Sequence, residues 1–202
     1  MDERKKRVYI ETYGCQMNVA DTEVVLSLLT QNGHEITESL AEADLVLVNT
    51  CSVRENAEQR VYGRLGEFKR LKRERPEVIV GVIGCMAERL RASLSDEKSR
   101  GVGQSVDLIV GPHEYRKLPQ LVQNAWHGER GIAVQLSRVE TYDDIMPLRT
   151  SGVSAWISVM RGCDKFCTFC VVPFTRGRER SRSLASVVRE IEVLSARGFR
   201  EV

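Results

Sequence analysis

Short apolar runs recur along the first part of the chain, separated by longer stretches that mix apolar and charged residues. The runs cover residues 8–13, 45–48, 78–83 and 106–110. They consist mostly of Val, Ile and Leu with little polar alternation, which is typical of strands buried on both faces of a parallel sheet. The pattern therefore predicts four buried parallel strands.

The stretches between the runs predict helices at residues 19–31, 55–75 and 114–127. Four apolar residues of the second stretch follow one another at intervals of four, three and three: Val61, Leu65, Phe68 and Leu71. This spacing places them on one face of a helix. Alternating strands and helices imply right-handed crossovers, so the predicted fold class is α/β, with a doubly wound, mainly parallel sheet.

The alternation lapses at residues 137–152, where polar residues precede Pro147 and Gly152. We interpret this stretch as a linker between an N-terminal domain at 1–136 and the beginning of a second domain at 153–202. Four elements are predicted in that second part: a strand at 155–160, a cysteine-rich loop, a helix at 183–197 and the opening of another strand at 199–202.

Composition narrows the class of protein. The chain has 202 residues, of which 42% are hydrophobic and 29% charged, as in ordinary globular proteins. It contains no apolar run near the ~20 residues of a membrane helix, and its first residues lack the apolar stretch of a secretory signal. We therefore expect a cytoplasmic protein with reduced thiols and no membrane partner.

Charge is uneven along the chain. Residues 1–150 carry 21 Lys and Arg against 23 Asp and Glu, whereas residues 151–202 carry nine against five. Four arginines of the second part lie close together: Arg176, Arg178, Arg180 and Arg182. Such a group can attract phosphate, and Arg178 and Arg180 are the predicted phosphate contacts. The alternative is a solvated loop or helix start.

Three cysteines each follow a predicted strand: Cys15, Cys51 and Cys85. Parallel strands end at the same edge of a sheet, where open α/β sheets bind ligands. The spacing therefore suggests a metal site, with three buried cysteines that act as small hydrophobes as the alternative. Glycine precedes Cys15 and Cys85, which lets the backbone turn sharply or approach a bulky inorganic group.

The other three cysteines, Cys163, Cys167 and Cys170, form a C-x3-C-x2-C motif. Three thiolates this close together can hold three corners of a cubane cluster and leave the fourth iron open. Zinc is the second candidate, but a structural zinc site needs four ligands and no histidine lies nearby. A disulfide framework conflicts with the absent secretory signal, so iron–sulfur ligation is favoured.

The motif, with Phe169 before its last cysteine, is similar to the signature of the radical S-adenosylmethionine superfamily. The wider pattern resembles the tRNA methylthiotransferases of that superfamily, in particular their MiaB branch. The resemblance runs along essentially the whole chain, through the segments 11–18, 49–54, 84–87 and 163–182. The amino acids at positions 14–18 and 174–182 favour the branch that acts on isopentenyladenosine.

The resemblance implies two [4Fe–4S] clusters and S-adenosyl-L-methionine as cofactors. Cys163, Cys167 and Cys170 would hold the cluster that binds S-adenosyl-L-methionine, with Phe169 against its adenine. Cys15, Cys51 and Cys85 would hold an auxiliary cluster that supplies sulfur. The implied reaction adds a methylthio group to C2 of N6-isopentenyladenosine at adenosine 37, in the anticodon loop of tRNA. An electron donor and a sulfur source are also implied, without identity, and no catalytic side chain is assigned.

Members of that family are longer than this chain, because a partial β/α barrel and an RNA-binding domain complete them. We therefore expect an N-terminal fragment that is inactive by itself. The alternatives are a sibling methylthiotransferase acting on threonylcarbamoyladenosine tRNA or on ribosomal protein S12, and a non-catalytic iron–sulfur carrier. A zinc-dependent RNA-binding module is favoured only by the arginines.

Overall fold

The central element of the computed structural model is a sheet of six parallel strands. The model describes residues 4–52, 55–95, 105–149 and 152–202. Within these ranges the strands are β1 (Arg7–Tyr13), β2 (Glu35–Ile36), β3 (Leu45–Thr50), β4 (Ile79–Gly84), β5 (Leu108–Val110) and β6 (Gly131–Ala133). Their order across the sheet is β2-β1-β3-β4-β5-β6. The predicted α/β class and the four predicted strands are confirmed.

Helices cover both faces of this sheet. They are α1 (Gln16–Gln31), α2 (Glu55–Glu74), α3 (Cys85–Ser95) and α4 (Leu118–Trp126). Side chains of α1 and α4 pack in one apolar cluster with Leu45 and Leu47, whereas α2 and α3 pack in a second cluster with Val46 and Val48. Alternate residues of a strand point to opposite faces, so β3 needs apolar side chains at every position. The sheet is therefore doubly wound.

The connections reverse direction between β1 and β3. The chain passes from β1 through α1 to β2 on one side, and then returns to form β3 on the other side of β1. Neighbouring strands whose connections run in opposite directions leave a crevice beyond their carboxyl ends, where open α/β sheets bind ligands. This point lies directly before Cys15 and Cys51.

Some elements differ from the prediction. The short edge strands β2 and β6, and helix α3, were not predicted. The predicted strand at 155–160 is wrong in extent, because regular pairing begins only at β7 (Met160–Arg161), antiparallel to β8 (Arg180–Ser181). Of the predicted strand at 199–202, Glu201 forms a single bridge with Ser154. The start of a β/α barrel stays a prediction.

Two further helices follow the cysteine-rich loop. They are α5 (Val172–Arg176) and α6 (Leu184–Ala196). The second matches the helix predicted at 183–197, and its N-cap is Ser183, whose side chain accepts a hydrogen bond from the Ser186 backbone N–H. None of the helices in the described ranges is both long and apolar enough to cross a membrane.

The segment predicted as a linker, 137–152, contains no helix or strand in its described part. It nevertheless packs against the apolar cluster of α1 and α4. Tyr142 and Ile145 are buried in the same cluster as α1 and α4, and the Tyr142 ring stacks on Tyr115 at 5.7 Å between centroids. The Ser27 hydroxyl donates to the Met146 carbonyl at 2.8 Å. The division into domains at this segment stays a prediction.

Candidate metal centre at the carboxyl edge of the sheet

Cys15, Cys51 and Cys85 lie at the carboxyl ends of three adjacent strands. The register pairs Tyr13 with Thr50 and Thr50 with Gly84, so β1, β3 and β4 end level with one another. Cys15 is the N-cap of α1, and Cys85 is the first residue of α3. The parallel register thus brings three residues that are far apart in sequence to one edge.

Two glycines make the sharp turns before Cys15 and Cys85. Gly14 has φ of 152° and Gly84 has φ of 89°, both in the region that disfavours residues with a Cβ. A Cβ at Gly14 would lie 2.7 Å from the Cβ of Cys51, and one at Gly84 would lie 2.8 Å from the Thr50 carbonyl oxygen. Only glycine fits either place.

Two buried amides join the segments that carry Cys15 and Cys51. The Asn18 side-chain NH2 donates to Asn49 Oδ1 and to the Thr50 carbonyl, both at 3.0 Å. The Asn49 NH2 donates in return to the Asn18 carbonyl at 2.8 Å. Because both amides are fully buried, this exchange satisfies polar groups that would otherwise be costly, and it fixes the distance between the two loops.

The thiols of Cys15 and Cys85 have pKa values shifted in opposite directions. A hydrogen bond from Cys51 lowers the pKa of Cys15 to about 5, which favours the thiolate form of Cys15. Burial raises the pKa of Cys85 above its usual value, although Arg176 acts in the opposite direction. The Arg176 Nε donates to Cys85 Sγ at 3.0 Å. Thiolates are the form of cysteine that binds metals.

Arg176 also belongs to a buried ion cluster. Its Nη2 donates to Asp21 Oδ2 at 2.7 Å, and Arg161 Nη1 lies 2.8 Å from Asp21 Oδ1. Although burial raises the pKa of the Asp21 carboxyl, the two guanidinium groups bring it below its usual value. Asp21 is therefore a buried carboxylate held between two cations.

The prediction that Arg180 faces RNA phosphate is wrong, because its side chain is buried, whereas the prediction for Arg178 stays a prediction. Arg176 and Arg180 are 2% and 8% exposed, and Arg180 Nη2 lies 2.9 Å from His113 Nε2. The Arg182 guanidinium is buried and paired with Glu190. Of the four arginines, only Arg178 is exposed, and it is paired with Asp164 at 2.7 Å. The partners of Arg176 and Arg180, Asp21 and His113, are distant in sequence and cannot be identified from the local pattern.

The second set of cysteines lies on the loop between β7 and α5. The Cys163 backbone N–H donates to the Gly177 carbonyl at 3.1 Å, and the Cys170 N–H donates to the Cys167 carbonyl at 2.9 Å. Cys167 is exposed, and Phe169 is 93% exposed. The aromatic ring predicted to contact a cofactor therefore faces solvent in the chain alone.

An apolar cavity of about 240 Å³ lies between the start of α1 and residues 156–162. Gln16 and Met17 line one side of it, next to Cys15, while Trp156, Met160 and Gly162 line the other, next to Cys163. It is slightly smaller than most ligand pockets. The space borders the residues that follow Cys15 and those that precede Cys163.

Residues 7–111 match the profile of a family described as Uncharacterized protein family UPF0004. The match covers more than half of the chain and includes the three strand ends that precede Cys15, Cys51 and Cys85. The chain belongs to this family. The remaining cysteines, on the loop between β7 and α5, lie outside the UPF0004 match.

Relatives of this UPF0004 chain carry a specific name, tRNA-2-methylthio-N(6)-dimethylallyladenosine synthase. The protein of Parabacteroides distasonis is 53% identical over the whole chain, that of Chloroherpeton thalassium 54% over 98% of it, and that of Amoebophilus asiaticus 52% over 98%. The chain spans 43%, 43% and 40% of their lengths. The predicted resemblance to methylthiotransferases is thereby confirmed.

A solved structure, an orphan response regulator of H. pylori, matches 60% of the chain with 19% identity and a TM-score of 0.36. No conclusion about the fold or the site follows from that score.

The thiols of this UPF0004 chain suit a metal site in chemistry but are not assembled into one. All six cysteines are free, so no disulfide uses them. Across the described ranges, no group of three or more His, Cys, Asp or Glu side chains has an arrangement that could hold a metal ion. Cys15 and Cys51 are in contact, while Cys85 contacts Arg176. The assignment of six cysteine ligands stays a prediction.

Proposed function

We propose that this chain is the N-terminal part of a tRNA methylthiotransferase that modifies C2 of N6-isopentenyladenosine at position 37 of tRNA. The observation that carries the proposal is the identity of 52–54% to proteins with that printed name over nearly the whole chain. Because the chain spans less than half of those proteins, the activity belongs to the longer protein. Position 37 lies in a loop, whose unstacked bases are accessible to proteins.

Two sets of thiols would hold the two cofactor clusters. Cys15, Cys51 and Cys85 would hold one [4Fe–4S] cluster, while Cys163, Cys167 and Cys170 would hold the other, with Phe169 against S-adenosyl-L-methionine. When bound, these groups supply radical hydrogen abstraction and a sulfur source, chemistry that no side chain can perform at an unactivated C2–H.

The side chains of this chain would prepare the site in several ways. The lowered pKa of Cys15 favours its thiolate form, and the hydrogen bonds between Asn18 and Asn49 keep its loop beside Cys51. Exposed Cys167 and Phe169 leave the second loop open to a ligand. An electron donor and a sulfur source are needed as partners, and the cytoplasm is the compartment that offers both tRNA and reduced thiols.

Metal analysis of the 202-residue chain tests the ligand assignment. Anaerobic reconstitution should give iron and sulfide in equal amounts, equivalent to two clusters per chain. Replacement of Cys15, Cys51 and Cys85 by Ala should remove half of the iron, and the matched replacement of Cys163, Cys167 and Cys170 should remove the other half. Stoichiometric zinc without sulfide would contradict the proposal and favour a zinc-binding module.

The activity is tested in the full-length protein. Cys167→Ala should abolish cleavage of S-adenosyl-L-methionine but leave the cluster at Cys15, Cys51 and Cys85 intact, because the two sets lie on separate loops. Continued formation of 5′-deoxyadenosine by this variant would contradict the assignment. Modification of threonylcarbamoyladenosine tRNA or of ribosomal protein S12, but not of isopentenylated tRNA, would assign the protein to a sibling branch.

A further inference from the structure

The buried ion cluster of Asp21, Arg161 and Arg176 lies where the two cysteine-bearing segments meet. Asp21 is on α1, which begins directly after Cys15. Arg161 ends β7, two residues before Cys163, and Arg176 ends α5, after Cys170. Both arginines therefore flank the loop that carries Cys163, Cys167 and Cys170, while the Asp21 carboxylate that they share belongs to α1.

The guanidinium group of Arg176 makes two contacts, one with a residue of α1 and one with a residue of α3. Its Nη2 donates to Asp21 at 2.7 Å, and its Nε donates to Cys85 Sγ at 3.0 Å. Asp21 and Arg176 are 1% and 2% exposed. A planar group with several N–H donors can bridge two acceptors in this way, whereas a lysine ammonium is a point charge.

The cluster has one more cation than anion. Two guanidinium groups face a single carboxylate at Asp21. In a neighbouring buried cluster, Arg149 and Arg182 contact the carboxyl groups of Glu23 and Glu190. An unbalanced buried charge is costly. Besides Asp21, Arg176 contacts the Cys85 sulfur, to which its Nε donates at 3.0 Å.

We infer that Arg176 is a positioning residue that supplies the countercharge for the Cys85 sulfur when that sulfur binds metal. Through Asp21, it also clamps the loop of Cys163, Cys167 and Cys170 onto the strand ends that carry the other three cysteines. The countercharge rests on the proposed function, because it needs a metal–thiolate group at Cys85. The clamp rests only on contacts within the chain.

The clamp is tested in the metal-free, reduced chain. Hydrogen exchange of residues 160–182 and the rate of Cys85 alkylation by iodoacetamide are compared for the parent chain, Arg176→Met, Arg176→Lys and the control Arg189→Met. Arg189 is an exposed residue of α6. Both Arg176 variants should increase exchange and alkylation about tenfold or more, because hydrogen bonds to charged groups contribute on that scale. The control should match the parent.

The lysine variant decides the question if Arg176→Met does not fold. Arg176→Lys keeps the charge but cannot bridge Asp21 and Cys85 together, so parent-like exchange and alkylation in this variant would overturn the clamp. Equal acceleration in Arg189→Met would also overturn it, because the effect would then not depend on the bridge.

The countercharge is tested in the iron-loaded chain, in a background where Cys163, Cys167 and Cys170 are replaced by Ala. Hydrogen bonds to cluster sulfurs and nearby charge set reduction potentials. Arg176→Met should shift the midpoint potential to more negative values, and Arg176→Lys should shift it less. An unchanged potential in Arg176→Met would overturn the countercharge. If the parent binds no iron, the proposed function and the countercharge both fail, while the metal-free experiment still decides the clamp.

Discussion

Gly84→Ala tests whether the turn between β4 and Cys85 tolerates any side chain. Gly84 has φ of 89°, and an added Cβ would lie 2.8 Å from the Thr50 carbonyl oxygen and 3.2 Å from the Thr50 backbone nitrogen. It would also meet Asn49 Oδ1, which the Asn18 amide holds in place. The obstacles are a backbone strand and a hydrogen-bonded side chain, so neither can move aside cheaply.

Two costs add at this position. A positive φ costs a residue with a Cβ about 1–2 kcal/mol, and overpacking against immobile neighbours costs about 1–3 kcal/mol. The reduced entropy of the unfolded chain returns about 0.4–1 kcal/mol. We therefore expect Gly84→Ala to lower the free energy of unfolding by about 2–4 kcal/mol.

Gly33→Ala is the matched control, because Gly33 has φ of 87° and no atom within 4 Å of its ideal Cβ. It keeps the conformational cost without the steric one, so we expect a loss of about 1 kcal/mol. Urea unfolding followed by circular dichroism measures both variants under the same conditions. Equal losses in the two variants would refute the steric reasoning, as would a loss below about 1 kcal/mol for Gly84→Ala.

Three further predictions concern pH and a helix cap. Burial, together with the nearby carboxylate of Glu190, raises the pKa of Glu23 from 4.5 to about 7; the folded chain thus binds more protons, and stability should fall as pH rises through this window. Glu23→Gln should abolish that fall in urea titrations across these pH values, and an unchanged fall would contradict the assignment. Burial and the charge of Arg180 lower the pKa of His113 from 6.5 to about 4, so stability should fall as pH decreases through that window, and His113→Gln should reduce this acid sensitivity. A parent-like acid profile in the variant would exclude His113 as its source. Ser183→Ala should cost about 1 kcal/mol in thermal unfolding, whereas Ser183→Asp should retain the cap; an equal loss in both variants would show that the side-chain acceptor contributes nothing.

The local pattern of hydrophobic residues was sufficient to predict the strands in the interior of the sheet. In β3 every residue from Leu45 to Val48 is apolar, and the structure buries them alternately on its two faces. The short edge strands β2 and β6 have no such pattern, because a strand of two or three residues at an edge buries little. Helix α3 begins at Cys85 directly after the last residue of β4, so no loop between the two elements marks its start in the sequence.

The sequence by itself determined the fold class, the membership of a family and the sheet edge on which Cys15, Cys51 and Cys85 lie. These features depend on periodicity and on residue order, since parallel strands have a common direction. Only the tertiary structure decided which charged side chains are buried and which partners they have. Arg176 lies 155 positions from Asp21 and 91 from Cys85 in sequence, and no local signal distinguishes an arginine that will be buried from one that faces solvent. Its environment is set by the residues that folding brings to it, because the energy of a buried charge depends on its neighbours in space.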